Sequence, residues 1–160
     1  MKNDLAKLAK RIRTELTDLE QVVTRCERAL ARSKTTSDDL YLDSIALNLE
    51  GFYSGLERLL QLIAATIDGK VPHGSEWHKE LLDQLCEEIP GLRPAVLSES
   101  AKTMLERYRR LRHVVRVIYT FRLEPQKLEE HTQALRPTYV IVKNELDAFA
   151  ALLEQRAKEN

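Results

Sequence analysis

Basic side chains are concentrated in one stretch of this sequence. Between Lys102 and Arg122 there are seven basic residues and one acid, Glu106. Helical spacing would place five polar side chains of this stretch along one line of a helix surface. These five, called the basic stripe below, are Arg109, Arg112, His113, Arg116 and Tyr119. Because like charges crowded on one helix lower its stability, the stripe calls for a compensating partner or ligand.

Three interpretations of the basic stripe follow from its residue types. The arginines can pair with acids of neighbouring helices on a solvated face, which is the usual role of a charge run and the one that spacing alone favours. They can instead bind a phosphate, with Tyr119 or His113 stacking on a base. In the third interpretation, His113 transfers protons while the arginines stabilise a phosphorane-like charge.

Metal and cofactor chemistry has no motif in this sequence. His73, His78 and His131 share no metal-ligand spacing, and each is expected to be a surface or packing residue. There is no glycine-rich phosphate loop, no GxSxG and no paired-carboxylate motif. Cys26 and Cys86 each fall on an apolar stripe of a predicted helix, so both are expected to be reduced thiols. The sequence therefore predicts no metal and no cofactor.

The composition is that of a soluble, folded protein. The chain has 160 residues, 43% of them hydrophobic, and its 25 basic and 25 acidic residues cancel. This length predicts a single domain over 1–160. The N-terminal stretch lacks the apolar core of a signal peptide, and no stretch approaches the ~18 apolar residues of a membrane span. We therefore expect a cytoplasmic protein without a membrane segment.

Apolar residues recur at helical spacing over five stretches, separated by polar, glycine or proline residues. The predicted helices cover about 4–33, 38–66, 75–89, 98–121 and 125–157. Ser75 and Ser98 are the predicted caps of the third and fourth helices. Gly51 and Gly55 suggest that a neighbouring helix approaches the second one closely, and Pro137 is expected to kink or split the fifth. Short connections predict an all-α, up-and-down bundle.

Three segments resemble the HepT-like branch of the HEPN superfamily in order and spacing. They are ERYRRLRHVVRVIYTFRL at 106–123, LEGFYSGLER at 49–58, and VPHGSEWHKELL at 71–82 with the following RPAV at 93–96. The resemblance covers most of the chain from about residue 40 onward. It implies a HEPN-like bundle that forms a homodimer, and many HEPN proteins are metal-independent ribonucleases.

The resemblance also implies a partner. HepT proteins are typically toxins encoded beside a minimal nucleotidyltransferase antitoxin, which can silence them by attaching AMP to a tyrosine. Tyr119 fits that tyrosine, and Arg112, seven residues before it, fits the arginine of the family motif. The implied function is a toxin-type ribonuclease that cuts RNA at a dimer interface, with the phosphate held by Arg107, Arg109, Arg112 and Arg116.

One position departs from the family motif. The motif histidine, five residues after the arginine, falls on Val117, and valine cannot transfer a proton. Some HEPN motifs allow an arginine six residues before the histidine, and Arg107 stands six residues before His113. Residues six apart lie on different faces of a helix, however, because they are about 120° short of two full turns. Arg109 and Arg116 are closer to His113 in helical register. The catalytic set implied here is Arg112, His113 and Arg116.

Two alternatives to a ribonuclease stay open at this point. The chain can be a catalytically inactive HEPN module whose basic stripe binds a nucleotidyltransferase, a nucleotide or RNA. It can also be a structural helical adaptor whose stripe is merely solvated. The sequence alone leaves undecided whether the protein is an enzyme.

Overall fold

A computed structural model describes residues 2–159 as five α-helices joined by short connections. No strand forms within these residues beyond a single bridge between Ile89 and Arg93, so the predicted all-α bundle is confirmed. None of the described helices is both long and apolar enough to cross a membrane. The helices are α1 (Lys2–Thr35), α2 (Leu40–Ile63), α3 (Trp77–Cys86), α4 (Glu99–Val117) and α5 (Pro125–Glu159).

The core forms mainly where the long helix α1 packs against α2 and α5. The apolar residues of α1 recur every three or four positions, and burial of this stripe is what makes the helix stable. A buried hydrogen bond joins α1 to α5, because the Tyr139 hydroxyl donates to the Leu16 carbonyl over 2.7 Å. The buried stripe of α1 includes Leu8, Ile12, Leu16, Leu19, Val23 and Cys26.

The two cysteines are unpaired thiols, as the sequence predicts. Cys26 is fully buried, and burial raises the pKa of its thiol to about 11. Cys86 is half-buried at the end of α3, and burial likewise raises its pKa to about 11. Both thiols therefore stay protonated and poorly nucleophilic at neutral pH.

The two glycines of α2 differ in their surroundings. A Cβ atom at Gly55 would lie 3.3 Å from Cδ2 of Leu19, so the predicted close approach of a neighbouring helix is confirmed there. A Cβ atom at Gly51 would have nothing within 4 Å among the described residues, so the same prediction is wrong for Gly51 within this chain. Gly51 instead lies on an exposed face of α2.

The ends of α3 and α4 differ from the prediction. Ser75 does not cap α3, which begins at Trp77 and ends at Cys86. Ser98 does cap α4, because its hydroxyl accepts a hydrogen bond from the Ala101 amide. However, α4 ends at Val117 and not near Phe121. Its last residues are rich in β-branched side chains that lose rotamer freedom in a helix, and those at Val114, Val117 and Ile118 are not fully buried.

The fifth helix begins with Pro125 in its first turn, as predicted. It is not split at Pro137, because α5 runs without interruption to Glu159. The pyrrolidine ring at Pro137 is exposed, and Thr138 on the buried side donates its hydroxyl to the Ala134 carbonyl over 2.8 Å. Contacts of α5 with α1 lie on both sides of the proline, at Glu129 and at Tyr139, and hold the helix together.

The buried Arg93 ties the segment between α3 and α4 to the end of α2. Its guanidinium donates to both carboxylate oxygens of Asp68, at 2.6 and 2.7 Å, and to three backbone carbonyls. All five of its N–H donors are thus used. Burial by itself would raise the pKa of Asp68, but hydrogen bonds from Arg93 and Gln84 hold that pKa below its ordinary value.

The substitution Arg93→Ala is expected to lower the free energy of unfolding by about 3–5 kcal/mol, because it leaves the Asp68 carboxylate buried and without its partner. Urea denaturation followed by circular dichroism measures this loss. The matched control is Arg13→Ala, which removes an arginine with two carboxylate partners at the exposed surface and should cost at most ~1 kcal/mol. Equal losses for the two variants would contradict this account of Arg93.

Candidate functional site

A groove of about 590 Å³ lies between the start of α3 and the second half of α4. Four of its side chains are cationic and one is a carboxylate, with two histidines between them. The groove is therefore a positively charged surface in a chain of zero net charge. Its lining comprises Ser75, Glu76, His78, Lys79, Arg109, Arg112, His113, Arg116 and Val117; we call it the basic groove.

The arginines of α4 are held by a row of polar residues on α2. Glu50, Ser54 and Glu57 are spaced four and three residues apart, so they share one face of that helix. The Arg112 Nε atom donates to the Ser54 hydroxyl over 2.8 Å, and its Nη1 atom lies 3.7 Å from Oε1 of Glu57. The Arg116 Nε atom lies 3.9 Å from Oε1 of Glu50. Pairing with acids of a neighbouring helix thus explains part of the basic stripe.

A third arginine is paired within α4 itself. The Arg109 Nε and Nη2 atoms both donate to Oε2 of Glu106, at 2.9 and 2.6 Å. This hydrogen bond raises the pKa of the Arg109 guanidinium. Beneath the groove, burial and then the charge of Glu57 raise the pKa of the Tyr53 hydroxyl, so this phenol stays neutral.

The four stripe residues in the groove differ in how free they are. The Arg112 and Arg109 side chains are 18% and 25% exposed, whereas the Arg116 side chain is 56% exposed. His113 is exposed and makes no hydrogen bond or ion pair with any of residues 2–159. Arg112 and Arg109 are therefore partly neutralised by protein, while Arg116 and His113 are available to a ligand.

The structure separates two of the predicted site residues from this groove. Arg107 lies about 140° around α4 from Arg112 and points to solvent elsewhere. Tyr119 lies beyond the end of α4, so its predicted place in a continuous helical stripe is wrong. Its ring is 73% exposed and stacks on Phe121, with ring centroids 5.7 Å apart and an angle of 6°. The Arg122 guanidinium lies 5.6 Å from the Phe121 ring centre.

The pair formed by His78 and Glu57 is the part of the site that the sequence did not reveal. The Nδ1 atom of His78 is 2.7 Å from Oε2 of Glu57, whose side chain is only 4% exposed. The Trp77 ring stacks on the imidazole with centroids 3.6 Å apart. The sequence predicts His78 to be a surface or packing residue, because a contact between residues 21 positions apart leaves no recognisable spacing in the sequence.

A larger cavity, of about 730 Å³, lies between the loop after α2 and the second half of α3. It is lined by four carboxylates, Asp68, Glu80, Asp83 and Glu87. Two of them have cationic partners, since Asp68 binds Arg93 and Asp83 binds Lys102. Among residues 2–159, no group of three or more histidine, cysteine or carboxylate side chains could hold a metal ion.

The protein is thus an all-helical bundle that carries a basic groove lined by two histidines. Residues 44–153 match the family model described as HepT-like protein. Because this match spans more than half of the chain, the protein belongs to the HepT-like family. No curated protein and no solved structure gives a significant match to it.

The structure also shows where Val117, the residue that departs from the family motif, lies. Val117 lines the basic groove and is 68% exposed. The position that the sequence resemblance assigns to the motif histidine therefore lines the groove, but the valine there brings no proton-transfer group. Of the residues that line the groove, His113 and His78 are the imidazoles.

The two central arginines are expected to differ in their effect on stability. Arg112→Ala removes partners of Ser54 and of the buried Glu57, so it should lower the free energy of unfolding by about 1–3 kcal/mol. Arg116→Ala breaks a long, exposed ion pair and should change it by at most ~0.5 kcal/mol. Urea denaturation of both variants tests this. A loss for Arg116→Ala as large as that for Arg112→Ala would contradict the assignment of Arg116 as the freer side chain.

Proposed function

We propose that this HepT-like protein is a toxin-type ribonuclease that binds RNA in the basic groove and cuts it without a metal ion. The observation that carries the proposal is the groove itself, in which Arg116 and an unpaired His113 lie beside Arg112 on one wall. Arginine forks suit phosphate, and an imidazole can move a proton at neutral pH. The substrate is a flexible RNA strand.

The reaction proposed is attack of a ribose 2′-hydroxyl on the adjacent phosphate. Arg116 and the Nη2 atom of Arg112, which makes no hydrogen bond within residues 2–159, would hold the phosphate oxygens. Positive charge fixed there stabilises the phosphorane-like transition state. His113 transfers a proton. No step requires a metal ion, because the nucleophile belongs to the substrate.

The exposed aromatic pair after α4 supports RNA as the ligand. Tyr119 and Phe121 are 73% and 77% exposed, stacked in parallel, and accompanied by Arg122. Exposed aromatic rings beside arginine are the usual platform for unstacked bases of single-stranded RNA.

We propose that the chain forms a homodimer through an exposed face of α2. Leu40 and Leu47 are 66% and 68% exposed, and helical spacing puts both on the same face as Gly51. Among residues 2–159, no contact explains a glycine at position 51, yet glycine lowers helix stability by roughly 1 kcal/mol relative to alanine. A second copy packed closely on this apolar face explains all three residues.

The alternative is an inactive module that binds RNA, a nucleotide or a nucleotidyltransferase. The observation that favours it is Val117, because the motif position of the family holds no proton-transfer group in a groove that is otherwise intact. In an inactive module, the basic groove would be a docking surface. Its positive charge would be reduced because Arg109 and Arg112 are paired with Glu106 and Glu57.

Expression of the wild-type chain in a bacterial host is expected to arrest growth and degrade RNA, and His113→Ala should abolish both effects. Arg116→Ala should weaken RNA cleavage by purified protein without unfolding the chain, whereas Arg112→Ala tests phosphate binding at some cost in stability. Arg107→Ala is the matched control, because it removes an arginine of the same helix outside the groove. Cleavage should persist in excess EDTA. If neither the wild type nor any variant cleaves RNA, the ribonuclease proposal is contradicted and the binding module is the function that is left.

A minimal nucleotidyltransferase is the proposed partner, with Tyr119 as its target. The phenol is exposed and outside the helices, so an enzyme can reach its oxygen without unfolding the bundle. After co-expression with such an enzyme and ATP, the mass of the peptide containing Tyr119 should increase by one or more AMP units. Tyr119→Phe is the control, since it should abolish the increase; an unchanged mass of the wild-type peptide would count against this target.

A further inference from the structure

The Glu57–His78 pair has the construction of an oriented proton-transfer group. The Glu57 carboxylate is 4% exposed and lies 2.7 Å from Nδ1 of His78. The Trp77 ring covers one face of the imidazole, at 3.6 Å between centroids and an angle of 29°. These two contacts fix both the position and the rotation of the ring. The Nε2 atom has no hydrogen-bond partner within residues 2–159.

A carboxylate on Nδ1 has a defined chemical effect on an imidazole. In the neutral ring, the Nδ1–H group donates to the carboxylate, so the lone pair lies on Nε2 and can accept a proton. After Nε2 has accepted a proton, the carboxylate stabilises the imidazolium that forms. A histidine that merely packs at a surface needs neither a buried carboxylate nor a stacked ring.

The pair opens onto the same groove as the basic stripe. The His78 side chain is 30% exposed and lines the groove on the α3 side, while His113 lines it on the α4 side. Arg112 joins the two, because it lies on α4 beside His113 and its Nη1 atom is 3.7 Å from the carboxylate that binds His78. Two imidazoles therefore line one positively charged groove, one from its α3 side and one from its α4 side.

We propose that His78 is a second catalytic residue of this groove, working with His113 on the phosphodiester of RNA, and that Glu57 is its positioning residue. The inference rests on the proposed ribonuclease function. Nothing in the sequence motif assigns such a role to His78, and Val117 leaves the motif position empty of a proton-transfer group.

The reaction balances with two imidazoles and no other reagent. Nε2 of neutral His78 accepts the proton of the 2′-hydroxyl as the O2′–P bond forms. Protonated His113 donates a proton to the 5′-oxygen as the P–O5′ bond breaks. The products are a 2′,3′-cyclic phosphate end and a 5′-hydroxyl end. Exchange with water then restores the two protonation states.

Steady-state cleavage of a short single-stranded RNA by the purified chain tests the role of His78. His78→Ala is expected to lower kcat by ~10²-fold or more with little change in KM, since the arginines still bind the phosphate. Added imidazole should restore part of the activity, because the space between Trp77 and Glu57 is left vacant; a structural role would not be rescued. Glu57→Gln should lower kcat about tenfold or more. His73→Ala is the matched control, because His73 is exposed and lines the other cavity.

Nitrogen-15 NMR of the histidine rings supplies a readout that needs no variant. In the wild type, His78 should be protonated on Nδ1 and not on Nε2 when neutral. A dinucleotide whose 5′ residue lacks the 2′-hydroxyl cannot be cut; its addition should shift the resonances of His78 and His113 but not those of His73. Unmoved His78 resonances would overturn the inference.

The kinetic outcomes separate the two proposals. If His78→Ala keeps kcat within about twofold of the wild type while His113→Ala is inactive, the ribonuclease stands and the role of His78 is wrong. If the wild type cuts no RNA, the proposed function fails and this inference fails with it.

Discussion

Glu57 is the constraint on which the basic groove depends. A carboxylate taken out of water is stable only when several donors or charges compensate for it, and here those come from two other helices. His78 at the start of α3 binds one oxygen, and Arg112 on α4 lies near the other. One buried acid of α2 thus links the two walls of the groove. The short α3 buries Leu81, Leu82 and Leu85 in the core, and its two ends are held by the Glu57–His78 pair and by the Arg93 anchor.

The partial neutralisation of the stripe is what allows a basic groove on so small a bundle. The groove brings together four cations, three of them arginines of α4; without partners they would repel one another and destabilise that helix. Glu106, Glu57 and Glu50 offset three of them to different degrees, and the distances grow from 2.6 to 3.7 to 3.9 Å along the series. Of these three arginines, the least compensated is therefore Arg116, one helical turn from His113 near the end of α4. Along this helix, Arg109 and Arg112 are paired with carboxylates of the protein, whereas the more exposed Arg116 is the arginine best placed for the proposed ligand.

The sequence predicted the helices well and the site only in part, for physical reasons. Burial of a regular apolar stripe fixes a helix such as α1, so its spacing can be read directly from the sequence. The end of α4 could not be read in this way, because the apolar residues Val114 and Val117 continue the pattern while remaining exposed. The stripe on α4 was visible as a run of charge, but its partners on α2 lie more than fifty positions away. The Glu57–His78 pair is a product of tertiary packing alone.

The early end of α4 has a consequence for how such a protein can be controlled. Tyr119 and Phe121 contribute almost nothing to the core, since both side chains are about three-quarters exposed. A bulky or charged addition to this segment would therefore leave the free energy of folding nearly unchanged. Under the proposed control by modification of Tyr119, activity and stability would therefore be separable, because the attached group would act without unfolding the bundle. The bundle would be the scaffold, and the proposed modification would lie on a segment outside its helices.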